Sequence, residues 1–157
     1  MIPVILSRKL TTSLPKAEAE KLCSEFSLWK EGLIGPGDFF GKDTLFSRPP
    51  EVVRMGIRKV HLETPAVEDL WNAKLKAGKN DPLKFTSDKI LVYGALADLE
   101  HAPYLLLTIL EPGHDQMEDP EVMRSLGVFY ESERQQVGKF FPARQWMAYG
   151  FPSIADL

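Results

Sequence analysis

The chain has little cysteine, little histidine and no surplus of positive charge. A single cysteine, Cys23, among 157 residues allows no internal disulfide and no cysteine-built zinc site. No apolar run approaches the roughly 20 residues that a membrane-spanning helix needs. The opening Met1-Ile2-Pro3-Val4-Ile5-Leu6 is too short and lacks the basic flank of a signal peptide. A phosphate-cradling loop is missing as well, because Gly35-Pro36-Gly37 has neither the lysine nor the preceding strand. There is no Gly-x-Ser-x-Gly elbow to hold a nucleophilic serine. The 19 Lys and Arg against 22 Asp and Glu give a net charge of −3. Such a balance argues against tight, nonspecific nucleic-acid binding. These absences leave a cytoplasmic protein with no membrane segment as the expectation.

What is present is ordinary globular material, 44% hydrophobic and 26% charged. The length suits one domain, expected over residues 1–139, with an aromatic tail at 140–157 packed on the same body. The tail holds Phe140, Phe141, Trp146, Tyr149 and Phe151, and so much apolar surface is rarely left in water. The average charge hides an asymmetry. Residues 1–97 carry 15 basic and 12 acidic side chains, whereas residues 98–157 carry 4 and 10. Lys42, Arg48, Arg54, Arg58 and Lys59 make the stretch 42–60 locally basic. Either this is variation on a solvated surface or the molecule has one basic and one acidic face.

Apolar patterning predicts a first strand at Val4-Ile5-Leu6, held to an edge or an end by Pro3. Ser13 and Pro15 then read as the start of a helix. Its buried stripe is Ala19, Leu22, Cys23, Phe26, Trp29 and Leu33, which makes Cys23 a small hydrophobe. Residues 36–50 read as irregular or a short helix, and 57–62 as a strand. A short helix follows from Thr64 and Pro65 to Gly78, with acids early and lysines late, as the helix dipole favours. Two apolar runs, 90–96 and 103–110, are close enough to form an antiparallel hairpin. Pro120 opens a last helix with Val122, Met123, Leu126, Phe129 and Tyr130 on one stripe. The order points to an α+β fold: a small, mostly antiparallel sheet packed by N-terminal and C-terminal helices.

Three histidines are available for proton transfer: His61, His101 and His114. Alternation puts Lys59 and His61 on one face of their strand, opposite Val60 and Leu62. An imidazole beside an ammonium suits RNA cleavage, because one moves a proton near neutral pH and the other neutralises a phosphate oxygen. His114 follows the last strand in Glu-Pro-Gly-His-Asp, a place where catalytic groups often sit. His101 lies in the hairpin turn and reads as idle. Tyr93, in mid-strand, is either a packed core tyrosine or a group that stacks on a base. His114, Asp115, Glu118 and Asp119 match no metal-ligand spacing, so no metal is expected.

Several ordered stretches resemble the YafO family of type II toxins, ribosome-dependent mRNA interferases with an α+β fold akin to the RelE group. They are Phe40-Gly41-Lys42-Asp43 with Leu45-Phe46, Val60-His61-Leu62, and Thr86-Ser87-Asp88 leading into Leu91-Val92-Tyr93. Leu105-Leu106, Ile109-Leu110-Glu111-Pro112, His114, Met123 and Gly127 continue the series. The resemblance implies a metal-independent endoribonuclease that enters the ribosomal A site, cuts mRNA and is restrained by a cognate antitoxin, with no cofactor. Set on this chain, it implies proton transfer at His61 and then His114. Lys42, Arg58, Lys59 and Lys84 would bind phosphate, Tyr93 would orient a base, and Asp88 would orient a histidine or cap the strand. Phe85 stands where the family carries an arginine. That substitution and the negative net charge leave open a non-catalytic relative that blocks its target without cutting RNA.

Overall fold

Ser7 ends the first strand and begins the first helix at once. Its hydroxyl accepts from the Leu10 amide at 3.1 Å and donates to the Leu107 carbonyl at 2.6 Å. The strand before it is β1 (Val4–Leu6) and the helix after it is α1 (Arg8–Ser13). The helix start expected at Ser13 is therefore displaced, because Ser13 closes α1 and a separate helix, α2 (Lys16–Lys30), follows Pro15. A side-chain cap at Ser7 satisfies an otherwise orphaned amide, and burial of Leu10 fixes the extra turn. In the computed structural model residues 2–140 are described. Of the expected aromatic tail, residues 141–157 and their packing lie outside that range.

The remaining elements are β2 (Phe40–Leu45), α3 (Pro50–Arg54), β3 (Arg58–Leu62), α4 (Glu68–Lys76), β4 (Ile90–Ala95), β5 (Tyr104–Leu110), α5 (Gly113–Glu118) and α6 (Pro120–Phe140). A single 3-10 turn, Pro82–Lys84, lies between α4 and β4. The five strands form one sheet in the order β1-β5-β4-β3-β2. β1 joins β5 in parallel, and the other three pairings are antiparallel, including the β4–β5 hairpin. This α+β arrangement, with a small sheet packed by N- and C-terminal helices, is consistent with a RelE-like architecture. Among the described residues no helix is long and apolar enough to cross a membrane.

Both faces of the sheet are covered. Val4, Leu6, Val60, Leu62, Leu91, Tyr93 and Leu106 pack with Leu22, Cys23 and Phe26 of α2. Ile5, Ile90, Val92, Leu105 and Leu107 pack with Met123, Leu126, Tyr130 and Val137 of α6. Burial raises the Cys23 thiol to about 12, in keeping with a packing residue. Glu133 of α6 is fully buried and accepts from both the backbone amide and the guanidinium of Arg8, tying the two ends of the described chain together. Two elements escape the hydrophobic pattern. β2 is a polar edge strand with a bulge between Phe40 and Asp43, and it gains its conformation from pairing with β3. α5 is six residues of mostly polar chain, too short to show a period.

Candidate nucleic-acid site

The pleat of β3 divides its functional residues between two sides. Arg58, paired across the ladder with Tyr93, looks toward α2, whereas Lys59 and His61, paired with Val92 and Ile90, look toward α5 and α6. The expected sharing of a face by Lys59 and His61 is present, but that face is not open at His61. The residue is only 5% exposed. Its Nδ1 lies 2.8 Å from both the amide nitrogen and the carbonyl oxygen of Ser87, so one tautomer accepts from the amide and the other donates to the carbonyl. Burial, with the charges of His114, Lys42 and Lys59, pushes its pKa below the ordinary 6.5, against the opposing pull of the Ser87 carbonyl.

His114 arrives from the end of β5, at the same end of the sheet, because His61 pairs with Ile90 and Ile90 with Leu110. Gly113 donates its amide to the Asp88 carbonyl at 2.8 Å, and a side chain at Gly113 would strike Ile90. The bare backbone therefore lets α5 close on β4 next to the His61 position. The two imidazole centroids stand 6.0 Å apart. Asp88 Oδ1 accepts from the His114 amide at 2.9 Å and lies 2.6 Å from its Nδ1. These bonds hold the Asp88 carboxyl below its ordinary value, with the backbone amide of His114 the largest cause. The His114 side chain is 61% exposed, so its ring is fixed by Asp88 and still open to solvent.

A groove of about 290 Å³ runs beside this ring, lined in part by Phe46, Arg48, Lys59, His114 and Glu118. Lys59 extends over the Phe46 ring at 5.1 Å. Burial lowers the Lys59 pKa, and the neighbouring charges of Lys42 and Arg48 lower it further. Arg48 therefore joins the site, although in the sequence it stands out only as part of the basic stretch. Its signal was the Ser-Arg-Pro-Pro segment leading into α3, whose position over Lys59 no periodicity encodes. Glu118 brings the acidic half of the chain to the same groove, so the two charge classes are not on separate faces.

The other expected site residues lie elsewhere. The Tyr93 hydroxyl donates to Asp43 at 2.7 Å and accepts from Lys30 at 2.9 Å, on the α2 side of the sheet. Arg58 pairs with the same Asp43 through two contacts of 3.3 Å. Burial, followed by the charge of Asp43, drives the Tyr93 pKa upward. The structure does not bring Tyr93 or Arg58 to the histidines. Lys84 is exposed on the 3-10 turn, one residue before Phe85, whose carbonyl receives the Lys42 amide at 2.8 Å. Phe85 itself is fully buried and packs edge-on against Trp71, so it serves as an anchor for this turn. His101 stands in the hairpin turn beside Glu100. Among the described residues no group of three or more His, Cys, Asp or Glu is arranged to hold a metal ion.

No curated protein and no solved structure matches this chain. A family model does match: that of toxin YafO of type II toxin-antitoxin systems aligns with residues 27–133. The match takes in β2 to β5, the Thr86-Ser87-Asp88 turn, His61 and His114, and it omits β1, α1 and most of α2. With more than half of its length aligned, the chain belongs to the YafO family of type II toxins.

Proposed function

We propose that the protein is a toxin that cleaves messenger RNA on the ribosome, with His114 and Lys59 as the groups that meet the scissile phosphate. Family membership supports the toxin role and a cognate antitoxin as partner. The chemistry is carried by one observation: an exposed imidazole fixed by a carboxylate shares a groove with a pKa-lowered lysine and an arginine.

Cleavage within RNA needs a base for the 2′-hydroxyl, an acid for the departing 5′-oxygen and cations for the phosphorane. With Nδ1–H donated to Asp88, His114 presents Nε2 to take the 2′-hydroxyl proton. The 2′-oxygen then bonds to phosphorus, the bond to the 5′-oxygen breaks, and the Lys59 ammonium protonates that oxygen. The products are a 2′,3′-cyclic phosphate and a 5′-hydroxyl end. Arg48 and Lys42 would hold the non-bridging oxygens. His61, buried and bonded to Ser87, acts from behind as a positioning residue for the turn that carries Asp88.

The test is a translation extract programmed with a defined mRNA and read by primer extension. His114→Ala and Lys59→Ala should each lower cleavage by about 10²-fold or more. Intact mRNA under arrested translation with the parent protein would replace this reading by that of a non-cleaving blocker. Undiminished cleavage by both variants would discard the site assignment.

A further inference from the structure

Among the described residues, one concavity besides the histidine groove is lined largely by cations. Lys74, Lys79, Asn80, Asp81 and Lys84 enclose about 480 Å³ where α4 meets the 3-10 turn. The place is built by backbone geometry. Gly78, at φ +74°, ends α4, and Lys79 donates its amide back to the Lys74 carbonyl at 3.0 Å. The Lys74 ammonium donates to the Lys84 carbonyl, closing the turn on the helix. The only acid of the set, Asp81, already accepts from the Leu83 amide at 3.1 Å. Lysines at a helix C-terminus also complement the helix dipole. Lys84 lies outside the helix, however, and three ammonium groups around one engaged carboxylate leave an excess of positive charge.

The route from this concavity to the histidines is short. Residues 84–88 alternate: Lys84, Thr86 and Asp88 are exposed, while Phe85 and Ser87 are buried. Four extended residue steps span at most about 14 Å. Lys42, half-buried on β2, is tied to the middle of this stretch through the Phe85 carbonyl. Beyond Asp88 come His114, Lys59 and Arg48. Cations thus stand at both ends of the stretch and beside its middle.

We propose that Lys74, Lys79 and Lys84 form a second phosphate-binding station, joined to the histidine groove along residues 84–88. A single RNA strand lying in the groove would then be held on one side of the scissile phosphate for roughly two to four further nucleotides. The proposal rests on the RNA reading above and adds where, and on one side only, the strand is gripped. No exposed aromatic ring is placed in the station to stack on bases, so the grip is on phosphate and tolerant of sequence.

The experiment uses the full chain carrying His114→Ala, so that RNA survives, and fluorescence anisotropy with labelled RNA. One oligonucleotide covers only the groove, and two others extend it by four nucleotides on the 5′ or the 3′ side. One extension, and not the other, should tighten binding by about tenfold or more. Lys74→Gln/Lys79→Gln/Lys84→Gln should abolish that gain and lower the salt slope by about 0.7 for each phosphate no longer neutralised. Lys79→Gln alone, at an exposed position clear of the bond between Lys74 and Lys84, should remove part of it. Equal gains from both extensions, or a gain that survives the triple variant, would overturn the proposal. So would retained RNA binding with lost antitoxin binding, which would make the station a protein-docking surface. Parent protein that binds the extended RNA in this way and cuts none in the translation extract would instead defeat the cleavage reading and leave the station standing.

Discussion

Asp88 and His114 are both exposed, so their contact adds little to stability, and its value is in orientation. Asp88→Ala should therefore cost only about 1 kcal/mol, from the lost bond to the His114 amide in the first turn of α5, and lower mRNA cleavage by about ten- to a hundredfold, measured by primer extension. Tyr93 is the reverse case. Its hydroxyl is fully buried between Lys30 and Asp43, so Tyr93→Phe leaves two half-buried charged groups each short of a partner. A loss of about 1–2 kcal/mol in denaturant titration is expected. These two residues, Asp88 and Tyr93, lie close together in sequence. The strand pleat and the turn before it send one to the groove and the other into the core.

At the scale of elements, the site depends on close approach between backbones. A Cβ at Gly113 would collide with Ile90 and push α5, with His114, away from β4. Gly113→Ala should cost about 1–3 kcal/mol and reduce cleavage in parallel, since the same displacement moves the imidazole from Asp88. Equal stability with unchanged cleavage would show that α5 has slack. Gly41 plays a matching part on the other side, where its bare backbone lies against Phe85 and Trp71 and lets β2 carry Lys42 alongside the 3-10 turn. Phe85, where an arginine was expected from the resemblance, is the apolar pin of this junction.

For the whole molecule, pH reads the burial of His61. Its folded pKa lies below the ordinary 6.5. Between those two values the unfolded chain binds a proton that the fold refuses, so stability falls as pH drops below 6.5 and levels off under the folded value. Urea titrations from about pH 7.5 to 5 should show this decline, and His61→Gln should flatten it at the cost of a lower plateau at neutral pH. A decline of the same size in the variant would assign it to another group. Cys23 offers a second global probe: with the thiol buried and raised to about 12, a thiol reagent should label it only as fast as the chain opens.

Composition and periodicity determined much of the frame. The apolar stripe with Cys23, the two runs that pair as the β4–β5 hairpin and the helix opened by Pro120 were legible, because burial imposes a period of 3.6 or 2 on the chain; only Leu33, expected on that stripe, lies past the end of α2 and is exposed. The same period placed Lys59 with His61. It could not say that this face is covered at His61 and open at Lys59, since alternation names sides and not what lies against them. The polar β2 and the six-residue α5 carried no period and were missed, although they deliver Lys42 and His114. The meeting of Asp88 with His114 across 26 residues, and the diversion of Tyr93 and Arg58 to Asp43, belong to the tertiary structure alone. Strand order and close backbone contact decide which distant side chains meet, and neither is a local property of sequence.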